Sequence, residues 1–459
     1  MNITQQISEF SAKISVATLP ADVVERAREL VLDLVGNIVR ARHESDSTPS
    51  LLSSAKALGF DHGTARVFGD NATYGPAGAA FINSTLSHSL DFDDTHAAGT
   101  LHPGAPVIPA ALAAGEMVNA SGADVLAAIV AGYEVVCRTG LALPAGDHYQ
   151  RGYHPTATCG VFGAAAAAGR VFGLDAAQIA SALGIALSQS AGSLQFLVNG
   201  AWTKRFQVGW SCMSGLAAAT LARDGFKGAS EAIEGKHGFL RAYAPNPKPE
   251  RVVENLGTVF ELMATGVKPY PSCRYGHAGI DAVLALRAEN NLKADEVEKV
   301  TYGLSNSGML LVGAPADKKA NPRNTVDGQF SGPFVLSVAL ATGQMGWDSY
   351  GLMQDPTVRG LLPKVHCEFD PEIEAEYPTN MSGKITISAR GKTFTKKVTV
   401  PKGEPSNFFG ADELKGKFMQ LAQPSMGAAA AETLAKAILK IDTIRDINEL
   451  MRLGKPLTH

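Results

Sequence analysis

From residue 21 to residue 40, apolar side chains fall at Val23, Ala27, Leu30, Val31, Leu34 and Ile38. Those steps of 4, 3, 1, 3 and 4 trace one face of a helix. Pro20 suits its first turn, where a missing N–H costs no intrahelical bond. The stretches 109–117, 123–137, 160–171 and 176–190 are rich in alanine and glycine, and Asp175 is a fitting N-cap for the last. Small residues let helices approach closely, so this half predicts a tightly packed multi-helix domain. An Ala-rich helix also suits a membrane bundle, but Glu116, Asp124 and Arg170 interrupt the candidates. No apolar run reaches the ~18 residues that a span needs.

The texture changes near residue 265. Residues 300–304 suit a strand, and 383–389 (GKITISA) and 394–400 (FTKKVTV) suit a β-hairpin turning at Arg390, Gly391 and Lys392. Helical patterns are interleaved at 280–289 and 334–340. After residue 405 helical spacing returns, with Leu434, Ile438 and Ile441 on one face and Ile444, Ile447 and Leu450 continuing the rhythm. The simplest expectation is a mainly α protein. A large all-helical domain (1–264 and 406–459) is interrupted by a smaller α+β domain (265–405), although the terminal helices would equally suit a third small unit.

Composition narrows the function. The chain has 459 residues, 45% of them hydrophobic, and its 47 glycines and 24 prolines form no repeat, which excludes collagen and low-complexity disorder. Lys+Arg is 41 against 44 Asp+Glu, so the basic excess of a dedicated nucleic-acid binder is missing. Five scattered cysteines with no CxxC pair argue against a disulfide framework or a structural zinc site. The opening residues lack a charged segment followed by an apolar one. A cytoplasmic location, with no membrane and no nucleic acid as partner, is the expectation.

Four segments stand out as possible chemistry. Residues 87–96 (SHSLDFDDTH), followed by 101–105 (LHPGA), place Asp91, Asp93 and Asp94 among His88, His96 and His102. Such a mixture suits a metal site, a carboxylate-oriented proton-transfer histidine, or simply a polar helix end. The spacing fits no familiar metal motif such as HExxH. His154 precedes a proline, which favours extended backbone and puts it on a loop leading into a helix. Lys204 and Arg205 lie between apolar segments, either as surface cations or as anion receptors. Residues 267–277 (VKPYPSCRYGH) hold two cations, a cysteine and a histidine in one loop, and Cys273 is either a nucleophile or a small buried thiol. The phosphate loop GxxxxGK[ST] is absent, and neither GxSxG nor GxGxxG stands in a fitting context. Nucleotide, flavin and serine-hydrolase chemistry thereby lose support.

Taken in order, SHSLDFDDTH…LHPGAPVIPA, GYHPTATCG, WTKRFQVGW and VKPYPSCRYGHAGIDA resemble the MmgE/PrpD family over nearly the whole chain. The resemblance implies a large all-helical domain with a smaller α+β lid domain, usually as a homodimer. It implies activities such as 2-methylcitrate dehydration, cis-aconitate decarboxylation and iminodisuccinate epimerisation. All concern a proton beside a carboxylate of a small polycarboxylate, and need no cofactor or metal. Carried over by position, Asp91, His102, His154, Lys204 and Lys268 are the catalytic set. His102 and His154 would transfer protons, Lys204 and Lys268 would hold carboxylates, and Asp91 would orient a neighbour or shuttle a proton. Thr95, His96, Arg205, Cys273, Arg274 and His277 are the accompanying substrate contacts. His96 is the alternative to His102, because the spacing after Thr95 runs one residue longer than in the animal decarboxylases. Cys273 stands where those decarboxylases carry histidine. Arg274 adds a cation that suits a further carboxylate, as in iminodisuccinate.

Overall fold

The structure, a computed structural model, describes residues 1–457. It is mainly helical, and its contacts divide it into two units, Met1–Gly266 with the segment from Gly410 onward, and Val267–Phe409.

The first unit is built on α1 (Ala21–Glu44), α2 (Pro76–Ser87), α3 (Gly104–Val118), α4 (Gly122–Ala142), α5 (Pro155–Val171), α6 (Ala176–Leu187) and α7 (Thr203–Arg223). Asp175 caps α6 through a reciprocal bond pair with Gln178, as its position predicts. One sequence expectation is corrected here. α4 is long and apolar enough by length and composition to cross a membrane, yet 94% of its apolar window is buried inside the protein. It is a core helix, and its charged pair Glu134–Arg138 is buried and satisfied: Arg138 donates to Glu134 at 2.9 Å and to the carbonyls of Glu254 and Val259.

Glycine notches set the helix spacing. A Cβ at Gly132 of α4 would lie 2.9 Å from the Gly163 carbonyl of α5, and one at Gly163 would lie 2.9 Å from the Gly132 carbonyl. A Cβ at Gly215 of α7 would sit 2.5 Å from the Ala164 Cβ of α5. Side chains there would push the helices apart, and such overpacking costs about 1–3 kcal/mol or more. The close approach holds the first turns of α5 and α7 side by side, which brings Gln207 against His154.

The second unit carries a four-stranded sheet, β1 (Val297–Leu304), β2 (Val365–Phe369), β3 (Gly383–Ala389) and β4 (Lys392–Val398), in the order β2-β1-β3-β4. β1 pairs parallel to β2 and antiparallel to β3, and β3–β4 is the expected hairpin. Alternate residues of β3, including Ile385 and Ile387, are buried in the core that α8 (His277–Asn290) and α9 (Gly332–Thr342) complete.

The chain then returns to the first unit as α10 (Ala411–Met426) against α1, followed by α11 (Ala428–Ile438). Leu434, Ile438, Ile441, Ile447 and Leu450 are buried, as their spacing predicts.

Candidate functional site

The polar segment after α2 is held by its backbone and by one aspartate, leaving the other two to face histidine and lysine. The Phe92 carbonyl accepts from Lys417 at 2.8 Å, and the Lys417 ammonium lies 3.7 Å from the Phe92 ring centroid. Asp94 accepts from the Tyr133 hydroxyl at 2.6 Å and from the Gly104 amide, at the start of α3, at 3.1 Å. Burial pushes the Asp94 carboxyl up to about 8. Asp91 adopts a left-handed backbone, φ +53°, a conformation that aspartate tolerates better than most residues. Its carboxylate meets Lys204, in the first turn of α7, at 2.5 Å.

His88 ends α2, fully buried, with Nδ1 2.7 Å from Asp93 Oδ2. The same carboxylate oxygen is 3.6 Å from His102 Nδ1. His102 Nδ1 lies 2.7 Å from the Asp94 carbonyl and 3.4 Å from Thr95 Oγ1. A carbonyl only accepts, so Nδ1 carries the proton and a neutral His102 has its lone pair on Nε2. The His102 amide donates to Thr156 in the first turn of α5. His154 immediately precedes α5, extended as expected of a residue before proline. The three rings gather: His88 lies edge-on to His102 at 4.9 Å and stacks with His154 at 5.8 Å. Burial drives the His154 imidazole well below its ordinary range, and the fields of His88, Lys204 and His102 push the same way. Burial also lowers His88, against the opposing pull of Asp93.

The first unit therefore brings together Asp91, Thr95, His102, His154 and Lys204. It adds Gln207, which sequence reasoning did not single out, and His88 and Asp93, which it named in the Asp/His segment but left out of the catalytic set. Gln207 had one available signal, its position three residues after Lys204 and so on the same helical face.

The remaining candidates have other partners. His96 uses both ring nitrogens, Nε2 toward Glu261 at 3.1 Å and Nδ1 toward the Gly99 amide at 3.0 Å, so it is His102 that joins the cluster. Arg205 donates from one nitrogen to Ser45, Ser47 and Asp46. In the second unit, Lys268 and Cys273 are buried, and the Cys273 amide donates to Gln329. Arg274 forms a two-pronged ion pair with Glu404. His277 bonds the Ser272 carbonyl and packs edge-on against Tyr270.

Ligand atoms of His88, Asp93 and His102 lie within 4.8 Å of one another, a mixture able to hold a divalent cation. Both Nδ1 atoms carry protons, one directed at Asp93 and the other at the Asp94 carbonyl, so an ion would have to meet the Nε2 atoms, and His88 Nε2 is buried with no hydrogen-bond partner among the described residues.

Comparison with known proteins gives matches along most of the chain. Sequence models of the MmgE/PrpD N-terminal domain and the MmgE/PrpD C-terminal domain match residues 5–252 and 270–443. A cis-aconitate decarboxylase-like protein oryM of Aspergillus oryzae is 28% identical over 479 aligned positions, covering 98% of this chain and 97% of the relative. A cis-aconitate decarboxylase of Aspergillus terreus is 27% identical, covering 98% and 95%. The cis-aconitate decarboxylase of Homo sapiens is 26% identical, covering 99% and 95%.

Proposed function

The chain belongs to the MmgE/PrpD family, and from that premise we propose that it is a cofactor-independent lyase acting on a small di- or tricarboxylate, by proton transfer at a carbon beside a carboxylate. Relatives named as cis-aconitate decarboxylases, matched over 95% of their own length, support decarboxylation as the first reaction to test.

The supporting observation is the gathering of the His154, His88 and His102 rings beside the Asp91–Lys204 pair, where burial and the neighbouring cations push the His154 imidazole below its ordinary range. A carbon acid beside a carboxylate is weak, so its proton needs a positioned base and the developing charge needs a fixed cation. His154 supplies the base. Lys204 pairs with a substrate carboxylate and stabilises the charge that spreads into it. Asp91 holds Lys204 in place until substrate arrives. Once protonated, His154 is disfavoured by burial and by Lys204, so it returns its proton readily. The same pair would serve decarboxylation: the bond to carbon dioxide breaks, and the electron pair left on carbon takes a proton that His154 has first gained from water and gives up readily because burial and Lys204 disfavour the imidazolium. His102 is the second proton carrier, oriented by the Asp94 carbonyl. An epimerase reading would draw on Arg274 as an extra carboxylate receptor, but Glu404 already occupies that guanidinium.

Proton NMR in D2O tests the reading with cis-aconitate, 2-methylcitrate, citrate and iminodisuccinate. Loss of carbon dioxide or a new alkene signal is expected. Deuterium entering an α position with no group lost would make the protein an epimerase instead. No change in any of the four acids would remove the polycarboxylate lyase assignment.

A further inference from the structure

Gln207 carries no acid–base chemistry, yet its two hydrogen bonds decide which nitrogen of His154 can. The oxygen and nitrogen of a glutamine amide are told apart by their partners. Here one end lies 2.9 Å from the Ser193 carbonyl, which only accepts, so that end is the NH2 group. The Gln207 oxygen then faces His154 Nδ1 at 3.1 Å. An amide oxygen accepts and never donates, so His154 Nδ1 holds a proton. In the neutral ring the lone pair is left on Nε2.

The orienting carbonyl is itself fixed. Residues 152–154 and 192–194 form a short antiparallel ladder: the His154 amide donates to the Gly192 carbonyl at 3.2 Å and the Leu194 amide to the Gly152 carbonyl at 2.8 Å. The ladder that sets the His154 backbone therefore also sets the Ser193 carbonyl that orients Gln207. A Cβ at Gly192 would stand 3.3 Å from Gln207 Oε1 and 2.8 Å from the Ala157 Cβ, so glycine leaves the amide its seat. Gln207 lies three residues after Lys204 on α7. One helical turn thus positions both the cation of the site and the tautomer of its base.

We propose that Gln207 is a positioning residue that locks His154 in the Nδ1–H tautomer, so that Nε2 is the nitrogen that exchanges protons with the substrate. The exchange with substrate rests on the function proposed above, whereas the tautomer does not. The charged and titratable groups around His154 are His88 stacked on it, His102, and Lys204, with Asp93 paired to His88 and Asp91 to Lys204. The partner that the structure gives Nδ1 is the Gln207 oxygen, which makes Gln207 its anchor.

The test is nitrogen NMR of the full-length protein labelled with 15N-histidine, with His154→Asn assigning the signal. Wild type is expected to show Nδ1 protonated and Nε2 unprotonated at neutral pH. Gln207→Met keeps the chain length, removes both bonds and should give a mixture of tautomers. Gln207→Glu places a carboxylate against Nδ1 and should raise the His154 titration midpoint by about 1 unit or more, since an opposite charge within ~4–6 Å favours the charged form. With a substrate in hand, Gln207→Met should lower kcat by about 10²-fold, the lower end of general acid–base contributions, while KM changes little. The acid limb of kcat/KM in Gln207→Glu should follow its NMR midpoint upward. A wild-type His154 protonated at Nε2, or a midpoint unmoved in folded Gln207→Glu, overturns the inference whatever the activity. The expected tautomer in a protein that turns over none of the acids would support the positioning role and remove the functional reading instead.

Discussion

Replacing Lys204 by methionine keeps most of the side-chain stem and removes its charge. The perturbation has two consequences of different origin. The first is structural. Asp91 keeps a carboxylate only 9% exposed, now without its 2.5 Å partner. Exposed ion pairs contribute about 0.2–1 kcal/mol, and removing one partner of a buried pair costs about 3–5 kcal/mol. Lys204 is 20% exposed, which places this pair between those limits, so solvent screening leaves a loss of about 2 kcal/mol. Asp91→Asn combined with Lys204→Met removes the carboxylate charge that Lys204 faced and should recover most of that loss, a coupling within the range of neighbouring residues.

The second consequence is chemical. A preorganised group that stabilises developing charge contributes about 10²–10³ in kcat, or about 2.7–4 kcal/mol. Lys204→Met should lose that much, and the double variant should not regain it, because neither residue then offers a cation. Without Lys204 the His154 imidazolium is less disfavoured, so the acid limb of kcat/KM should also move to higher pH. Chemical denaturation and steady-state rates on the same three proteins separate the two effects. If the double variant recovered activity along with stability, Lys204 would be a structural cation and the assigned chemistry would fail. A rate within about fivefold of wild type in Lys204→Met would sink it too, being far less than the loss of one such donor produces.

Arg138→Met in α4 should cost about 3–5 kcal/mol, because Glu134 is left as an uncompensated buried charge; a urea midpoint equal to wild type would show the pair to be dispensable. Asp94 gives a pH prediction of defined sign. Its folded-state value is raised to about 8, whereas an unfolded aspartate titrates near ~3.9. Its stability contribution is therefore complete below the unfolded value and is lost as pH rises through about 8. Wild type minus Asp94→Asn stability should fall across that window, and a difference that is flat or rises with pH would contradict the burial argument. Lys268→Met tests the role that the family resemblance assigns to Lys268, with turnover expected to fall at unchanged melting temperature and near-wild-type turnover removing Lys268 from the catalytic set.

What could be read from the sequence was whatever depends on near neighbours in the chain. The helical face of 21–40, the Asp175 cap and the apolar spacing of the last helices are periodic or local signals, and each has its counterpart in the structure. The hairpin was legible as well, but β4 begins at Lys392 rather than 394 because the turn needs only Arg390 and Gly391. Both have positive φ, as a two-residue hairpin turn requires. β2 was missed: its residues alternate weakly, and its place is set by parallel pairing with β1 across more than 60 residues. The expectation of no membrane-length apolar run failed at α4, where Glu134 and Arg138 break the run in sequence but neutralise each other in the core. At the site, motif positions pointed to Asp91, His102, His154 and Lys204. Who partners whom was invisible, since Asp91 and Lys204 are 113 residues apart and His154 and Gln207 are 53 apart.

The three aspartates of residues 91–94 show why residue type alone could not assign the roles. All are buried, yet the backbone sends each to a different partner: Asp91 to a lysine, Asp93 to a histidine, and Asp94 to a tyrosine and a helix amide. A left-handed residue such as Asp91 costs about 1–3 kcal/mol and persists where its surroundings over-determine it. The surroundings here are Lys417 on the Phe92 carbonyl and Tyr133 and Gly104 on Asp94, so the groups holding the segment are separate from the groups facing the cluster. That separation has a consequence. Removing an anchor, as in Lys417→Met, should lower stability and activity together, because the Asp91 turn relaxes. Exchanging His154 for asparagine should remove activity while the melting temperature stays within a few degrees of wild type. If instead Lys417→Met weakened the fold but left kcat intact, the Asp91 turn would be held by something other than these anchors.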